Sequence, residues 1–179
     1  MKTNTVTVFC GSKSGNKKGY VENAIQLGEG LAKKGIMLVY GGGNKGIMGA
    51  VANATLEAGG KVVGIIPKLL LEWEAQHEGL TELIVTEDMH TRKRLLYEKG
   101  DAAIILPGGM GTMDELFELL TWNNLSIHAK KVYVLNWEGY YDALIALLKT
   151  MEVEGFSYEH WEDRFIVCET TEAILQFFS

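Results

Sequence analysis

Ala102-Ala103-Ile104-Ile105-Leu106-Pro107-Gly108-Gly109-Met110-Gly111-Thr112-Met113-Asp114-Glu115 is the stretch whose reading decides the fold. Five apolar residues run unbroken into a proline and a glycine-rich loop, and Leu116, Leu119 and Leu120 then recur at helical spacing. The pattern predicts a strand buried on both faces, a loop, and a helix from about Thr112 to Leu125. A strand-to-helix junction of this kind leaves backbone N–H groups without intrahelical acceptors at the positive end of the helix dipole. Glycines there let an anion come close to the main chain. The loop therefore reads as a phosphate seat. Glu115, three residues past Thr112, is not needed to hold a phosphate and requires a second explanation.

The same unit recurs in both directions along the chain. Val6 to Cys10 is a strand that ends in the polar glycine loop Gly11-Ser12-Lys13-Ser14-Gly15-Asn16, and a helix from about Lys17 to Lys34 carries Tyr20, Ala24, Leu27 and Leu31 on one face. Ile36 to Tyr40 leads through Gly41-Gly42-Gly43-Asn44-Lys45-Gly46-Ile47-Met48-Gly49 into a small-residue helix, and Lys61 to Ile66 is a strand stopped by Pro67. Lys68 to Thr81, with Trp73, Glu74 and His77, lacks a clean period and reads as a long functional loop with a helical turn. Glu82 to Val85 is a short strand, and Asp88 is placed to cap a helix from Met89 to Lys99. Beyond the central unit come a strand at Lys131 to Leu135, a helix at Tyr140 to Met151, a strand at Phe165 to Cys168 and a helix at Glu172 to Phe178.

Continuously apolar strands alternating with helices predict an α/β architecture. It is a single-domain, doubly wound, Rossmann-like parallel sheet with helices on both faces, spanning residues 1–179. In such a sheet the loops at 11–15, 41–49 and 107–111 gather at the carboxyl ends of the strands and face one crevice.

Composition narrows the function. The 179 residues are 47% hydrophobic, enough for a sizeable core, and carry a net charge of −6. No basic run exceeds Arg92-Lys93-Arg94, which argues against a nucleic-acid partner. No apolar run approaches the ~18 residues of a membrane span and no signal-peptide core precedes the first strand, so no membrane partner and a cytoplasmic location are expected. Cys10 and Cys168 lie in apolar β-like runs and read as buried small hydrophobes in a reducing compartment, with neither a disulfide nor a metal role.

Gly41-x-Gly43-x-x-Gly46 matches the dinucleotide fingerprint in form. The acidic residue expected about 20 positions later is missing, since Ile66-Pro67-Lys68 stands there. A mononucleotide or a backbone-packing role fits better. No Gly-Lys-Ser/Thr triplet exists, so ATP hydrolysis has no support. Thr112-x-x-Glu115 has the form of a capping box, in which the two side chains satisfy helix-end donors. Against that stands Arg92-Lys93, in the first turns of the preceding helix, which βαβ geometry can bring to the same crevice. An arginine, a lysine and a glutamate there suit a phosphorylated sugar, with cations and amides for the phosphate and a carboxylate for the reacting carbon. Whether Glu115 faces the helix end or the crevice is left open by the sequence. His90, His128 and His160 lack metal-ligand spacing and read as surface or packing residues; His77 is a better loop candidate. Met48, Met110 and Met113 suit gap filling near a flat ligand or in the core, Trp122 and Trp137 suit core or interface, and Ser12 and Ser14 lack the His/acid set of a nucleophile.

Pro107-Gly108-Gly109-x-Gly111-Thr112-x-x-Glu115, preceded by Met89-His90-x-Arg92-Lys93, resembles the Lonely Guy family of cytokinin riboside 5′-monophosphate phosphoribohydrolases, whose members are often mislabelled lysine decarboxylases. The resemblance extends over Cys10-Gly11-Ser12, Tyr40 to Gly43, Gly46 to Gly49, Gly64 to Pro67, Gly79 to Leu83, Thr121-Trp122 and Gly139-Tyr140-Tyr141. It implies hydrolysis of the N-glycosidic bond of a nucleoside 5′-monophosphate, AMP or an N6-prenylated AMP, to free base and ribose 5-phosphate. It further implies catalytic roles for Arg92 and Glu115 and nucleotide contacts for Glu74, Lys93, Gly109, Met110, Gly111, Thr112, Met113, Asp114 and Thr121. Gly108 joins the phosphate loop, and Ser12 and Gly43, from the other two glycine loops, complete the expected substrate contacts. No metal and no organic cofactor is implied, and a homodimer with sites near the subunit interface is. A non-catalytic nucleotide-binding or molybdenum-cofactor carrier-like protein on the same fold is the alternative. Ile47, Met110, Asn123-Asn124 and Ser126 depart from the usual family residues and bear on base preference.

Overall fold

In the computed structural model, which describes residues 3–71, 76–158 and 160–178, each apolar run forms a strand. These are β1 Thr5–Phe9, β2 Met37–Tyr40, β3 Val62–Pro67, β4 Glu82–Thr86, β5 Ala102–Ile105, β6 Val132–Leu135 and β7 Phe165–Cys168. They pair in parallel in one sheet of order β4-β3-β2-β1-β5-β6-β7. Successive side chains point to opposite faces of a strand, and here both faces are covered. Val6 and Val8 of β1 join one core with Ala24, Leu27 and Val51, whereas Phe9 joins a second core with Leu96, Leu116 and Leu119. Both positions of the two-residue period are therefore apolar, which is why the strands read as unbroken runs.

The helices are α1 Lys18–Lys33, α2 Gly46–Glu57, α3 Met89–Lys99, α4 Met110–Asn124, α5 Asp142–Val153 and α6 Thr171–Leu175. The first core lies under α1, α2 and α6, and the second under α3, α4 and α5. The small residues of α2 allow close approach to α1: a Cβ on Gly28 would lie 2.5 Å from the Val51 carbonyl oxygen. Asp88 caps α3 as expected, its Oδ1 accepting from the Thr91 N–H at 2.8 Å. α/β single-domain architecture with a Rossmann-like sheet is thus what the sequence builds.

One expectation changes. Helix α4 starts at Met110, with Gly109 as its N-cap and no side chain capping it. Thr112 and Glu115 both lie inside the helix, so they form no capping box. The glycine junction makes the turn unaided, and the buried Thr112 side chain folds back into space that any Cβ on Gly108 would fill. The segment 68–81 opens on a 3-10 turn, Lys68–Leu70, and returns to the body through Gln76, which bridges Gly43, and His77, whose N–H donates to the Gly42 carbonyl at 3.0 Å.

β1 and β5 are neighbours at the centre of the sheet, and the helices that follow them lie on opposite faces. Their loops part at the carboxyl ends and leave a crevice, the usual ligand position in a doubly wound sheet.

Candidate active site

A cavity of about 460 Å³ occupies that crevice. The β1 loop supplies Ser12 and Lys13, α2 supplies Met48, the β5 loop supplies Pro107 to Gly109, and the start of α4 supplies Met110 and Gly111. The Gly11 N–H donates to the Pro107 carbonyl at 3.1 Å and ties the two loops together at the base. At the mouth of α4 the first-turn N–H groups have no intrahelical acceptor. Among the described residues beyond their own turn of chain, no atom comes within 4 Å of where a Cβ would project from Gly109 or Gly111, so an anion has room beside the main chain.

Arg92 and Glu115 meet at the cavity wall. Arg92, in the first turn and a half of α3, is 6% exposed, and its Nε donates to the Ile65 carbonyl of β3 at 3.2 Å. Its Nη1 lies 3.6 Å from Glu115 Oε1, with the carboxylate's side chain 12% exposed. Gly41 makes this possible, since a Cβ there would sit 2.6 Å from Arg92 Nη2. Glu115 thus faces the crevice. A largely buried ion pair in a cleft is expensive to desolvate and is typical of functional sites rather than of stabilising surface pairs.

Lys93, the next residue, turns elsewhere. Its Nζ pairs with Asp114 Oδ2 at 2.7 Å and Glu118 Oε2 at 2.8 Å. Burial works against the ammonium, but the hydrogen bonds and charges of Asp114 and Glu118 outweigh it and raise the Lys93 pKa. Tyr97 adds a hydroxyl donated to Glu118 Oε2 at 3.2 Å and to the Glu115 carbonyl at 3.3 Å. Burial, followed by the nearby carboxylates, pushes the Tyr97 phenol far above its ordinary value, so it remains a donor. These contacts bolt α3 to α4 and fix the backbone that carries Glu115.

Of the residues singled out in the sequence, Ser12, Arg92, Gly108, Gly109, Met110, Gly111, Thr112 and Glu115 come together around the cavity. Lys93, Met113 and Asp114 stand outside its lining. So does Gly43, held in its bridge to Gln76. Thr121 is a further turn and a half along α4, its hydroxyl donated to the Phe117 carbonyl at 2.7 Å beside a second cavity. Glu74 lies outside the described residues. His77 is a fixture of the loop. Its Nδ1 accepts from the Gly79 N–H at 3.0 Å, which leaves Nε2 to donate to Asn53 Oδ1 at 2.8 Å as the neutral tautomer, and burial lowers its pKa.

Among the lining residues that the sequence did not single out as contacts are Lys13, Tyr20 and Tyr140. Tyr20 shares its helical stripe with core residues, and Lys13 sits in a polar loop of ordinary appearance. Tyr140 donates its hydroxyl to the Gly108 carbonyl at 2.7 Å across 32 residues, a contact without a local pattern. Cys10 lines the cavity as well, but burial and then the Glu115 charge push its thiol far up, which disfavours the thiolate that a nucleophile needs.

The family model described as possible lysine decarboxylase matches residues 48–178. A cytokinin riboside 5′-monophosphate phosphoribohydrolase from Rhodococcoides fascians is 46% identical over 172 residues, covering 96% of this chain and 87% of the relative. The chain belongs to the cytokinin riboside 5′-monophosphate phosphoribohydrolase family. Another phosphoribohydrolase of this group, LOG1 of Arabidopsis thaliana, is 45% identical over 155 residues, 87% of this chain and 73% of the relative. Shape alone reaches further than the phosphoribohydrolases: the molybdenum cofactor binding protein of Rippkaea orientalis superposes with a TM-score of 0.74 over 99% of this chain and 96% of its own, at 22% identity, which shows the shared fold. Among the described residues no helix is long and apolar enough to cross a membrane.

Proposed function

We propose that this protein hydrolyses the N-glycosidic bond of a nucleoside 5′-monophosphate, AMP or an N6-prenylated AMP, to the free base and ribose 5-phosphate. The observation that carries the proposal is the buried Arg92–Glu115 pair facing the same cavity as the open N-terminus of α4. The 5′-phosphate seats on the amides of Gly109 to Thr112, with Lys13 as a cation on the opposite loop. The ribose then lies toward Glu115. As the bond from C1′ to the base nitrogen breaks, its electron pair leaves with the base and positive charge develops on the sugar. The Glu115 carboxylate stabilises that charge and orients a water, whose oxygen bonds to C1′ while its proton passes by way of Glu115 to the departing base. Arg92, pinned by the Ile65 carbonyl, holds Glu115 in place and contacts the sugar. None of these steps calls on a metal or an organic cofactor.

The test is release of free base from AMP and from N6-isopentenyl-AMP. Glu115→Gln keeps the shape of the side chain. It should lower turnover by about 10²- to 10⁴-fold while calorimetric AMP binding stays close to wild type. No base released from either nucleotide by the unaltered protein would overturn the proposal.

The proposal extends to a cytoplasmic homodimer. The two unbridged, buried thiols suit a reducing compartment. Val153, Phe156 and Tyr158, at and just past the end of α5, are each more than four-fifths exposed, and large apolar side chains so placed are of the kind a second copy covers. Mass in solution decides the oligomeric state, and a monomer at micromolar concentration counts against it.

A further inference from the structure

We infer that Tyr140 is a positioning residue for the 5′-phosphate, acting through the carbonyl of Gly108. The inference rests on the phosphate seat proposed above. Two consecutive tyrosines strap the β5 loop: Tyr141 donates its hydroxyl to the Leu106 carbonyl and Tyr140 donates to the Gly108 carbonyl, both at 2.7 Å, on either side of Pro107. Tyr141 is buried, and its bond belongs to the core. Tyr140 is 43% exposed and lines the cavity, so its bond belongs to the site.

The chemistry follows from the peptide unit. In a trans peptide the carbonyl of one residue and the N–H of the next point in opposite directions, and the described chain contains no cis bond. Fixing the Gly108 carbonyl therefore fixes the Gly109 N–H, the N-cap amide of α4. With the Gly108 oxygen held by the Tyr140 hydroxyl, the peptide cannot flip and turn that electron-rich oxygen to the side where the Gly109 N–H meets the phosphate. Glycine at 108 gives the peptide the freedom to rotate, and the tyrosine removes it.

Tyr140 is itself held. The turn Trp137–Gly139 that delivers it takes positive φ at Glu138, 50°, and Gly139, 71°. Lys17, just before α1, pairs with Glu138 at 2.5 Å and lies 5.8 Å from the centre of the Trp137 ring. Trp137 rests on Gly19, where a Cβ would come within 2.3 Å of the indole. The Tyr140 ring meets Tyr20 and Tyr141 edge-on, with centroids at 5.7 Å and 4.8 Å. Phenylalanine preserves all of this packing, so Tyr140→Phe isolates the hydroxyl.

The experiment measures AMP, ribose 5-phosphate and adenine binding by calorimetry on the wild type and Tyr140→Phe, with AMP turnover and Tm alongside. We expect Kd for AMP and ribose 5-phosphate to rise roughly three- to tenfold, the loss of about one hydrogen bond. Adenine binding, kcat and Tm should be unchanged. Unchanged Kd for ribose 5-phosphate overturns the inference, as does a fall in kcat at constant KM or a joint loss of Tm and all ligand binding. If the wild type releases no base, yet both proteins bind AMP with the tyrosine-dependent difference, the hydrolase proposal fails and the role of Tyr140 stands. If the wild type hydrolyses AMP and the variant matches it throughout, only the role of Tyr140 fails.

Discussion

Gly41→Ala is a perturbation that reaches the Arg92–Glu115 pair without altering either residue. Gly41 does not have the positive φ that excludes alanine, so the backbone accepts the change. The added Cβ would lie 2.6 Å from Arg92 Nη2 and 3.3 Å from Met48 Sδ, and ordinary contact begins at 3.4 Å, so the guanidinium must retreat by nearly an ångström. Met48 is flexible and gives way readily. Arg92 cannot retreat without straining the 3.2 Å bond from Nε to the Ile65 carbonyl or the 3.6 Å approach to Glu115. A weakened hydrogen bond of a charged donor costs about 1–2 kcal/mol, and in a domain of this size that lowers Tm by roughly 2–8 °C. Misplacement of a catalytic group by about 1 Å costs on the order of a hundredfold in rate. Steady-state release of adenine from AMP and a thermal melt, run on the same preparation, give both numbers. The variant should be folded, slightly less stable and about a hundredfold slower. Turnover within about twofold of wild type would refute the argument that the position of Arg92 matters to the reaction.

Two further outcomes are expected. Lys13→Ala should raise KM for AMP several-fold and flatten its dependence on ionic strength, because an exposed cation acts on a phosphate through a screened interaction; an unchanged salt slope would remove Lys13 from the phosphate seat. Burial holds His77 below the ordinary 6.5, so on acidification the unfolded chain takes up the proton first, and stability falls as pH drops below 6.5 toward the depressed folded value. His77→Gln should be less stable than wild type near neutral pH, and the gap should narrow through that window; a constant gap in Tm from neutral to acidic pH would show that His77 does not titrate with unfolding.

The inner strands were legible because they are covered on both sides, so Val6, Val8 and Phe9 could all be apolar and the run stood out without periodicity. The Asp88 cap was legible for the same local reason, since a carboxylate followed three residues later by Thr91 defines its own geometry. The start of α4 was misplaced because Thr112-x-x-Glu115 mimics a capping box, and glycine leaves no side-chain signature when it caps a helix. Arg92 and Lys93 were read together, but neighbours on a helix diverge by about 100°. One therefore reaches the cavity and the other reaches Asp114 and Glu118. Gly43 matched a fingerprint whose ribose-binding acid is missing, and its place is a bridge to a loop without periodicity. Gly139-Tyr140-Tyr141 stood out in the family resemblance, but the role of Tyr140 did not, because a hydroxyl that reaches a carbonyl 32 residues away follows no sequence rule.

The central position of β1 also governs when the molecule can be finished during synthesis. One edge of β1 is matched by β2 after a single helical crossover, but its other edge waits for β5, and the N–H of Asn4 finds its acceptor in Asp101, 97 residues later. At about 5–20 residues per second the ribosome leaves that apolar edge unpaired for many seconds. The nascent chain is then a template for wrong strand pairing. The strap on the proposed phosphate seat comes later still, because Tyr140 leaves the ribosome after the β5 loop it secures. A chain stalled or cut before residue 140 would hold most of its sheet but lack both tyrosines that strap the β5 loop, and its open edge would make it a client for chaperones.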